Sequence, residues 1–341
     1  MIMKQNIAII YGGDSSEWQI SIQSGRHVAS NVDLEKYNVY EVLLRGADWS
    51  LVVPDESESD SCTGLIDGVW LRKVAQIDKT DFSCKVDGVK VKFDKALIMI
   101  HGTPGENGLL QGYFEMMGIP FTTCSSYVSA LTFDKYACKS FLRATGIPMP
   151  KDIYLRKGDV YSADEIVVRL GLPLFVKPNN EGSSFGISKV KRASDLRKAI
   201  EAAFEDGESV LIEECISGRE LTEGVYSVAG EVVTLPVTEI VPHNEYFDYE
   251  AKYLGESDEI CPASLSEAVA SKVDTYTRKI YHHFGCRGLV RMDYILRDEE
   301  VYFLEINTVP GMTKMSLVPQ QLRVAGIGMK DFISTLIDIC E

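Results

Sequence analysis

The chain has 341 residues, of which 45% are hydrophobic and 25% charged, and its formal net charge is −15. That length exceeds one typical core, so two or three domains are expected, with the composition of an ordinary globular protein. The negative balance argues against a general nucleic-acid or anionic-membrane surface, and no apolar run approaches the roughly 18 residues needed to span a bilayer.

Residues 7–11 (IAIIY) read as a first strand rather than a signal peptide, because the apolar stretch is short and runs into Gly12-Gly13. A helix from about 17 to 31 follows, and strands near 40–44 and 96–100 predict an open parallel α/β sheet through about residue 124. Between them, 54–61 (PDESESDS) reads as an acidic surface loop. A helix over 133–146 is expected next, capped by Gly146 with Pro148 just beyond. Residues 174–176 and 211–212 read as strands, with a link and a helix over 190–204. From about 217 onward the pattern is strand-rich, with strands at 221–228 and 232–237. The polar, aromatic stretch 243–262 has no clear period, and loops of that length in compact domains tend to be functional. The eight cysteines form no C-x-x-C pair and sit mostly among apolar neighbours, as reduced, packed thiols of a cytoplasmic protein do. The adjacent His282 and His283 are read as structural.

The most informative stretch is 289–311, LVRMDYILRDEEVYFLEINTVPG, which reads as a β-hairpin turning at Asp298-Glu299-Glu300. Alternation puts Arg291, Asp293 and Ile295 on one face, and likewise Phe303, Glu305 and Asn307. A turn centred on Glu299 sets Asp293 opposite Glu305 and Arg291 opposite Asn307. Carboxylates facing each other across strands repel, so a cation should sit between them. Two carboxylates and an amide oxygen suit Mg²⁺, a hard ion that shares its oxygen ligands with phosphates.

A second candidate is 176–186, VKPNNEGSSFG, a glycine- and serine-rich hairpin loop whose N–H groups and hydroxyls, with the point charge of Lys177, suit phosphates; Glu181 and Ser184 of this loop are nucleotide-binding candidates. The chain has neither G-x-x-x-x-G-K-[ST] nor G-x-G-x-x-G, so a different nucleotide site is indicated. Lys135 is a second phosphate cation or a surface helix residue. Residues 211–216 (LIEECI) form an adenine slot, with Ile216 against the base and Glu220 near the ribose, or else an edge strand with solvated acids.

These motifs stand in order with Gly12-Gly13, Ser16-Glu17 and Ser21; with His101-Gly102 through Glu106-Asn107-Gly108 to Gln111-Gly112; with Asp248 to Tyr253; and with Pro310-Gly311-Met312-Thr313 to Ser316-Leu317-Val318-Pro319. Together they closely resemble the D-alanine–D-alanine ligases of the ATP-grasp superfamily, from residue 7 to about 326. The resemblance implies an N-terminal α/β domain (1–124) and two lobes of an ATP-grasp fold (125–216 and 217–341), with the stretch 243–262 as an ω-loop lid. It implies ATP as co-substrate and two Mg²⁺ ions (Mn²⁺ also suits) on Asp293, Glu305 and Asn307. It places Lys135, Lys177 and Lys252 on phosphates, and Glu213, Ile216 and Glu220 on adenine and ribose. Glu17 matches the group holding the first D-alanine's ammonium, His101 a histidine near it, and Ser183 and Tyr253 the partners of Glu17 in a lid-closing triad. Arg291 and the Gly311 N–H match oxyanion donors, and Ser316 and Leu317 grip the second D-alanine's carboxylate. A homodimer in the cytoplasm is the family expectation, with a product for peptidoglycan. The residues Glu214 and Cys215 depart from relatives that carry Lys and an aromatic there, and Thr308-Val309-Pro310 also varies. A D-alanine–D-lactate ligase and a non-catalytic ATP-binding scaffold are the rival readings; intact Glu250-Ala251-Lys252-Tyr253 favours the dipeptide, and the presence of Arg291, Asp293, Glu305 and Asn307 favours an enzyme.

Overall fold

The computed structural model describes residues 4–55, 62–66, 69–180, 186–243 and 257–340. Its first sheet grows around β1 (Gln5–Gly12), whose residues 7–11 are all fully buried, as an all-apolar strand covered on both faces must be. Helix α1 (Trp18–Ala29) leads to β2 (Tyr37–Arg45), and then come β3 (Asp48–Asp55), β4 (Cys62–Ile66), β5 (Val69–Gln76), the hairpin β6 (Ser83–Val86) and β7 (Val89–Lys92), and β8 (Lys95–Ile98). The sheet order is β4-β5-β3-β2-β1-β8. The expected parallel sheet is the segment β2-β1-β8 only; β3, β5 and β4 extend it antiparallel.

Helices α2 (Leu109–Met117), α3 (Ser126–Phe133) and α4 (Lys135–Leu142) follow. The single helix expected over 133–146 is two: Asp134 leaves helical geometry at ψ 103° and its carboxylate accepts the Ala137 N–H at 2.8 Å, starting α4 afresh. After α4 a 3₁₀ turn at Arg143–Thr145 ends on Gly146 in the left-handed region, φ 73°, where the sequence places the cap. Next come β9 (Asp152–Arg156), α5 (Ala163–Leu170), β10 (Leu174–Pro178), β11 (Ser188–Val190), α6 (Leu196–Ala203) and β12 (Ser209–Glu214). They give a four-stranded antiparallel sheet in the order β11-β10-β12-β9.

The third sheet contains β13 (Arg219–Val228), β14 (Glu231–Thr234), β15 (Thr238–Pro242), β16 (Ser257–Ile260), then, after α7 (Glu267–Phe284), β17 (Val290–Arg297) and β18 (Glu300–Asn307). Its order is β16-β15-β13-β17-β18, with β14 on β13. The strand expected over 232–237 stops at Thr234, ahead of Pro236, and β15 begins anew at Thr238. Helices α8 (Leu317–Val324) and α9 (Met329–Asp338) close the chain. Phe332, Ile333, Leu336 and Ile337 of α9 share one core with Ile7, Ile9 and Leu97, so the last helix packs on the first sheet. The seven described cysteines outside β4 are free thiols, and no described helix is long and apolar enough to cross a membrane.

In the β17–β18 hairpin the register is Arg291↔Asn307 and Asp293↔Glu305, as the alternation predicts. A bulge then shifts the pairing, so Tyr294 lies opposite Phe303 and Leu304 is the extra residue. Phe303 therefore does not share a face with Glu305 and Asn307. It is fully buried against Tyr294, with ring centroids 6.0 Å apart, while Leu304 and Glu305 both line the cleft on the other side.

Candidate active site

Between the second and third sheets lies a cleft of about 430 Å³. Phe175 and Ile187 form one apolar wall, and Ile216, Ile295 and Leu304 form the other. Its charged groups include five that the sequence singles out, Lys177, Glu213, Glu220, Asp293 and Glu305, alongside Lys189, Glu214, Arg219 and Glu239. Strand alternation explains the set: Phe175 and Lys177 both point out of β10 toward the cleft, whereas Leu174 and Val176 are fully buried in the lobe's core.

Lys177 pairs with Glu213 at 2.5 Å. Burial resists the charges on both, but each stabilises the other: Glu213 is held down at about 2 despite its burial, mainly by Lys177 and then Lys139, and Lys177 is raised because Glu213 and Glu305 outweigh its desolvation. Lys139 was not among the residues the sequence nominated. It is 2% exposed, and its ammonium meets Glu213, Asp152 at 3.0 Å and the Pro150 carbonyl at 2.8 Å. The available signal was its position one turn after Lys135 in α4, though a lysine at such a spacing ordinarily reads as surface. Asn179, fully buried, accepts the Lys135 N–H on its carbonyl at 3.3 Å and the Tyr136 N–H on its side chain at 2.9 Å. The start of α4, and with it Lys135, is thus fastened beside the strand that carries Lys177. Glu214 also lines the cleft, and its bonds run to Lys151: its carboxylate accepts the Lys151 N–H at 2.8 Å and its own N–H reaches the Lys151 carbonyl at 3.0 Å.

At the other end, Arg291 grips Asp293 with two bonds of 2.9 and 2.8 Å. Thr222 donates to the same carboxylate at 2.6 Å and the Asn307 amide nitrogen at 3.0 Å. Because Asn307 spends its nitrogen on Asp293, its amide oxygen faces away from that bond. Among the described residues no group of three His, Cys, Asp or Glu side chains converges on one point. The acidic face instead offers two carboxylates in register and an amide oxygen, an all-oxygen donor set that fits a hard divalent cation sharing its shell with phosphates.

The charge of Arg291 also reaches a second cluster, built where α1, the loop 101–106 and the loop 308–312 meet, acting there on His101 and Glu106. Glu17 is the N-cap residue of α1 and 6% exposed, so its carboxylate lies at the positive end of the helix. His101 is 4% exposed, and burial lowers its pKa below the ordinary value, leaving a neutral ring. Its Nδ1 lies 2.8 Å from the Val309 carbonyl, which can only accept, so the ring proton is assigned there and Nε2 receives the Ser24 hydroxyl at 3.1 Å. Ser24 in turn accepts the Met312 N–H at 3.2 Å, and His27 donates to the Met312 carbonyl at 2.7 Å. These contacts fix both sides of Gly311. A Cβ there would approach the Ser316 hydroxyl to 2.9 Å, and that hydroxyl accepts the Thr313 N–H at 3.0 Å, so glycine lets the loop close over Ser316. Leu317 opens α8 and is buried against Ile240. Glu106, whose pKa is lifted to about 7 by burial and by the charge of Glu17, ties the two loops by accepting the Gly102 N–H at 2.7 Å and the Val309 N–H at 3.1 Å.

The structure thus brings Lys177, Glu213, Ile216, Glu220, Asp293 and Glu305 to one cleft, with Asn307 bonded to Asp293 at its margin, and gathers Glu17, His101, Gly311, Ser316 and Leu317 beyond Arg291. Glu181, Ser183, Ser184, Lys252 and Tyr253 lie outside the described residues. Of the stretch 243–262 read as a lid, residues 257–260 form the edge strand β16 paired to β15. The His283 ring lies 4.5 Å from that of Phe141.

Known proteins are similar to this chain over nearly its whole length. The family described as "D-ala D-ala ligase N-terminus" matches residues 6–124, and "D-ala D-ala ligase C-terminus" matches residues 141–338. A D-alanine--D-alanine ligase from Phocaeicola vulgatus is 46% identical over 337 residues, covering 98% of this chain and 99% of that one. Among solved structures, the VanG D-Ala:D-Ser ligase from Enterococcus faecalis superposes with a TM-score of 0.82 at 28% identity, covering 99% of each chain. A D-alanine--D-alanine ligase from Bacillus anthracis complexed with ATP gives a TM-score of 0.76 at 28% identity, over 98% of this chain and 97% of that one.

Proposed function

The chain belongs to the D-alanine–D-alanine ligase family, with the family's ATP-grasp fold and its role in peptidoglycan precursor synthesis, and on that footing we propose how its two clusters divide the reaction. ATP lies in the cleft, its base between the apolar walls near Glu213 and Ile216, its ribose at Glu220, and its phosphates toward Lys135, Lys177 and, from the lid, Lys252. The carboxylate of a first D-alanine, its ammonium held by Glu17 near His101, attacks the γ-phosphorus; ADP leaves and an acyl phosphate remains. The amine of a second D-alanine, its carboxylate held at Ser316 and Leu317, loses a proton and attacks the acyl carbon. The tetrahedral oxyanion is stabilised by Arg291 and the Gly311 N–H, and it collapses to the dipeptide by expelling phosphate. Asp293, Glu305 and Asn307 would hold two Mg²⁺ ions (Mn²⁺ also fits the donor set), which supply shielding of the phosphate charge when bound. Glu17 with Ser183 and Tyr253 would close the lid and keep water from the acyl phosphate.

The observation that supports this reading is Arg291 between the two clusters: it is bonded to Asp293 of the cleft, and its charge acts on His101 and Glu106 of the cluster around Gly311. The reading also includes three units (1–124, 125–216 and 217–341), a homodimer and a cytoplasmic location. The test is ADP release from MgATP with D-alanine alone, then with D-lactate or D-serine added, and products identified by mass. D-Alanyl-D-alanine as the dominant product supports it. A mixed product dominating would move the acceptor assignment, and absence of turnover with any D-acid despite nucleotide binding would favour a scaffold.

A further inference from the structure

The buried charges behind the nucleotide cleft form an alternating chain. Arg143, half exposed, meets Asp152 at 2.6 Å; Asp152 meets Lys139 at 3.0 Å; Lys139 meets Glu213; and Glu213 meets Lys177 at 2.5 Å. Asp152 and Glu213 are direct partners across β9 and β12, two carboxylates whose repulsion Lys139 removes by sitting between them. The Lys139 ammonium has three N–H groups and three acceptors, Glu213, Asp152 and the Pro150 carbonyl, so it is fully committed. It touches neither the cleft nor the solvent in any measurable degree, being 2% exposed. Of its partners, Glu213 and Pro150 line the cleft, and Glu213 is the one that presents a charged side chain there.

We propose that Lys139 is a positioning residue for base selection: by holding Glu213 ionised and in one orientation, it makes the cleft prefer a 6-amino purine over a 6-oxo purine. This rests on the reading above that the cleft takes the nucleotide with its base at Glu213. An ionised carboxylate only accepts hydrogen bonds, so it matches the exocyclic amine of adenine and opposes the carbonyl oxygen of hypoxanthine. A carboxylate with two oxygens has about four acceptor positions, and one contact from each lysine leaves room for the base. Without Lys139, Glu213 keeps Lys177 but loses the partner that is not needed for phosphate. Its charge is then less well compensated in a buried place, and a protonated Glu213 can donate to a 6-oxo group.

The experiment compares kcat/KM for ATP and for inosine triphosphate in the wild type, Lys139→Met, Lys139→Arg, Glu213→Gln and the double variant Lys139→Met/Glu213→Gln, below the melting point of each. Wild type should prefer ATP. Lys139→Met should lose at least about tenfold of that preference, through KM for the nucleotide with KM for D-alanine unmoved, and Lys139→Arg should restore most of it. The double variant, which removes both charges together and so leaves no unpaired carboxylate, should match Glu213→Gln alone. A folded Lys139→Met that keeps the wild-type preference overturns the proposal. So does a double variant whose preference falls below that of Glu213→Gln, since Lys139 would then act by another path. A wild type that uses the two triphosphates equally well overturns both the proposal and the placement of the base at Glu213.

Discussion

Two pairs of carboxylates face each other across antiparallel strands of this molecule: Asp152 with Glu213 between β9 and β12, and Asp293 with Glu305 between β17 and β18. The same electrostatic problem meets different solutions. The first pair is closed around a lysine of the chain itself, Lys139, and Asp152 and Glu213 keep only 5% and 7% of their side-chain surface. The second pair lines an open cleft; Arg291 is clipped to Asp293, and Glu305 stands where a dissolved cation can reach it. A resident cation makes a structural site whose charge is constant. On the proposed reading the second face takes its cation from solution, so its charge would change with what binds, which is what a phosphate-handling site needs.

Breaking this contrast gives predictions that fall in order of size. Arg291→Ala should lower kcat by on the order of 10²–10³, the usual effect of removing one oxyanion donor, while far-ultraviolet dichroism stays unchanged. Retained near-normal turnover would remove Arg291 from the chemistry. The two acidic pairs should then differ in sign of effect. Glu213→Gln takes the carboxylate from Lys177 and leaves Lys139 with Asp152 and the Pro150 carbonyl, and it should cost about 3–5 kcal/mol in a denaturant titration. Glu305→Gln relieves a cross-strand repulsion and should shift stability by less than about 1 kcal/mol, while reducing turnover and weakening divalent-ion dependence. Equal losses of stability in both would erase the distinction. Gly311→Ala should push the Ser316 hydroxyl aside and raise KM for the acceptor D-alanine, measured at saturating ATP.

The smallest expected effect concerns a buried acid that belongs to neither pair. Glu223 is 3% exposed, and burial lifts its carboxyl from 4.5 to about 8. A raised folded pKa means that its neutral form is the one the fold favours. Its contribution is complete below about 4.5 and is lost as pH rises to about 8. Glu223→Gln should therefore flatten the decline of the melting temperature over that window and raise it at pH 8 by about 2 °C or more. A wild-type curve already flat there would contradict the assignment.

Much of the site was legible because it rests on period-two alternation and a short turn. The pairing of Asp293 with Glu305 is the one counting outward from Glu299 gives, but the structure reaches it by another route: the turn is the two residues Asp298-Glu299, with Arg297 opposite Glu300, and the extra residue Leu304 restores the register. The bulge did not follow: Leu304 and Glu305 both face the cleft because one extra residue slips in, and nothing in EVYFLEIN announces the slip. Lys139 was illegible for a deeper reason. A buried lysine is placed by what surrounds it in three dimensions, here Asp152 and Pro150 from a later segment and Glu213 from a later strand. The break at Asp134 was available in principle, since aspartate before a lysine-led helix is a cap signal, but the apolar run across it suggested continuity. Residues 48–92 hold five strands that composition concealed, among them β3, whose end runs into the acidic stretch read as a loop. The packing of α9 on the first sheet is a contact between chain ends, which local pattern cannot show.

The most direct test of the contrast is calorimetric binding of a non-hydrolysable ATP analogue with and without Mg²⁺, in the wild type, Glu305→Gln and Lys139→Met. Binding to the wild type should tighten strongly on adding Mg²⁺; Glu305→Gln should lose most of that gain, and Lys139→Met should keep it while binding more weakly overall. A gain that survives intact in Glu305→Gln, or disappears in Lys139→Met, would contradict the division between a cation recruited from solution and one built into the chain.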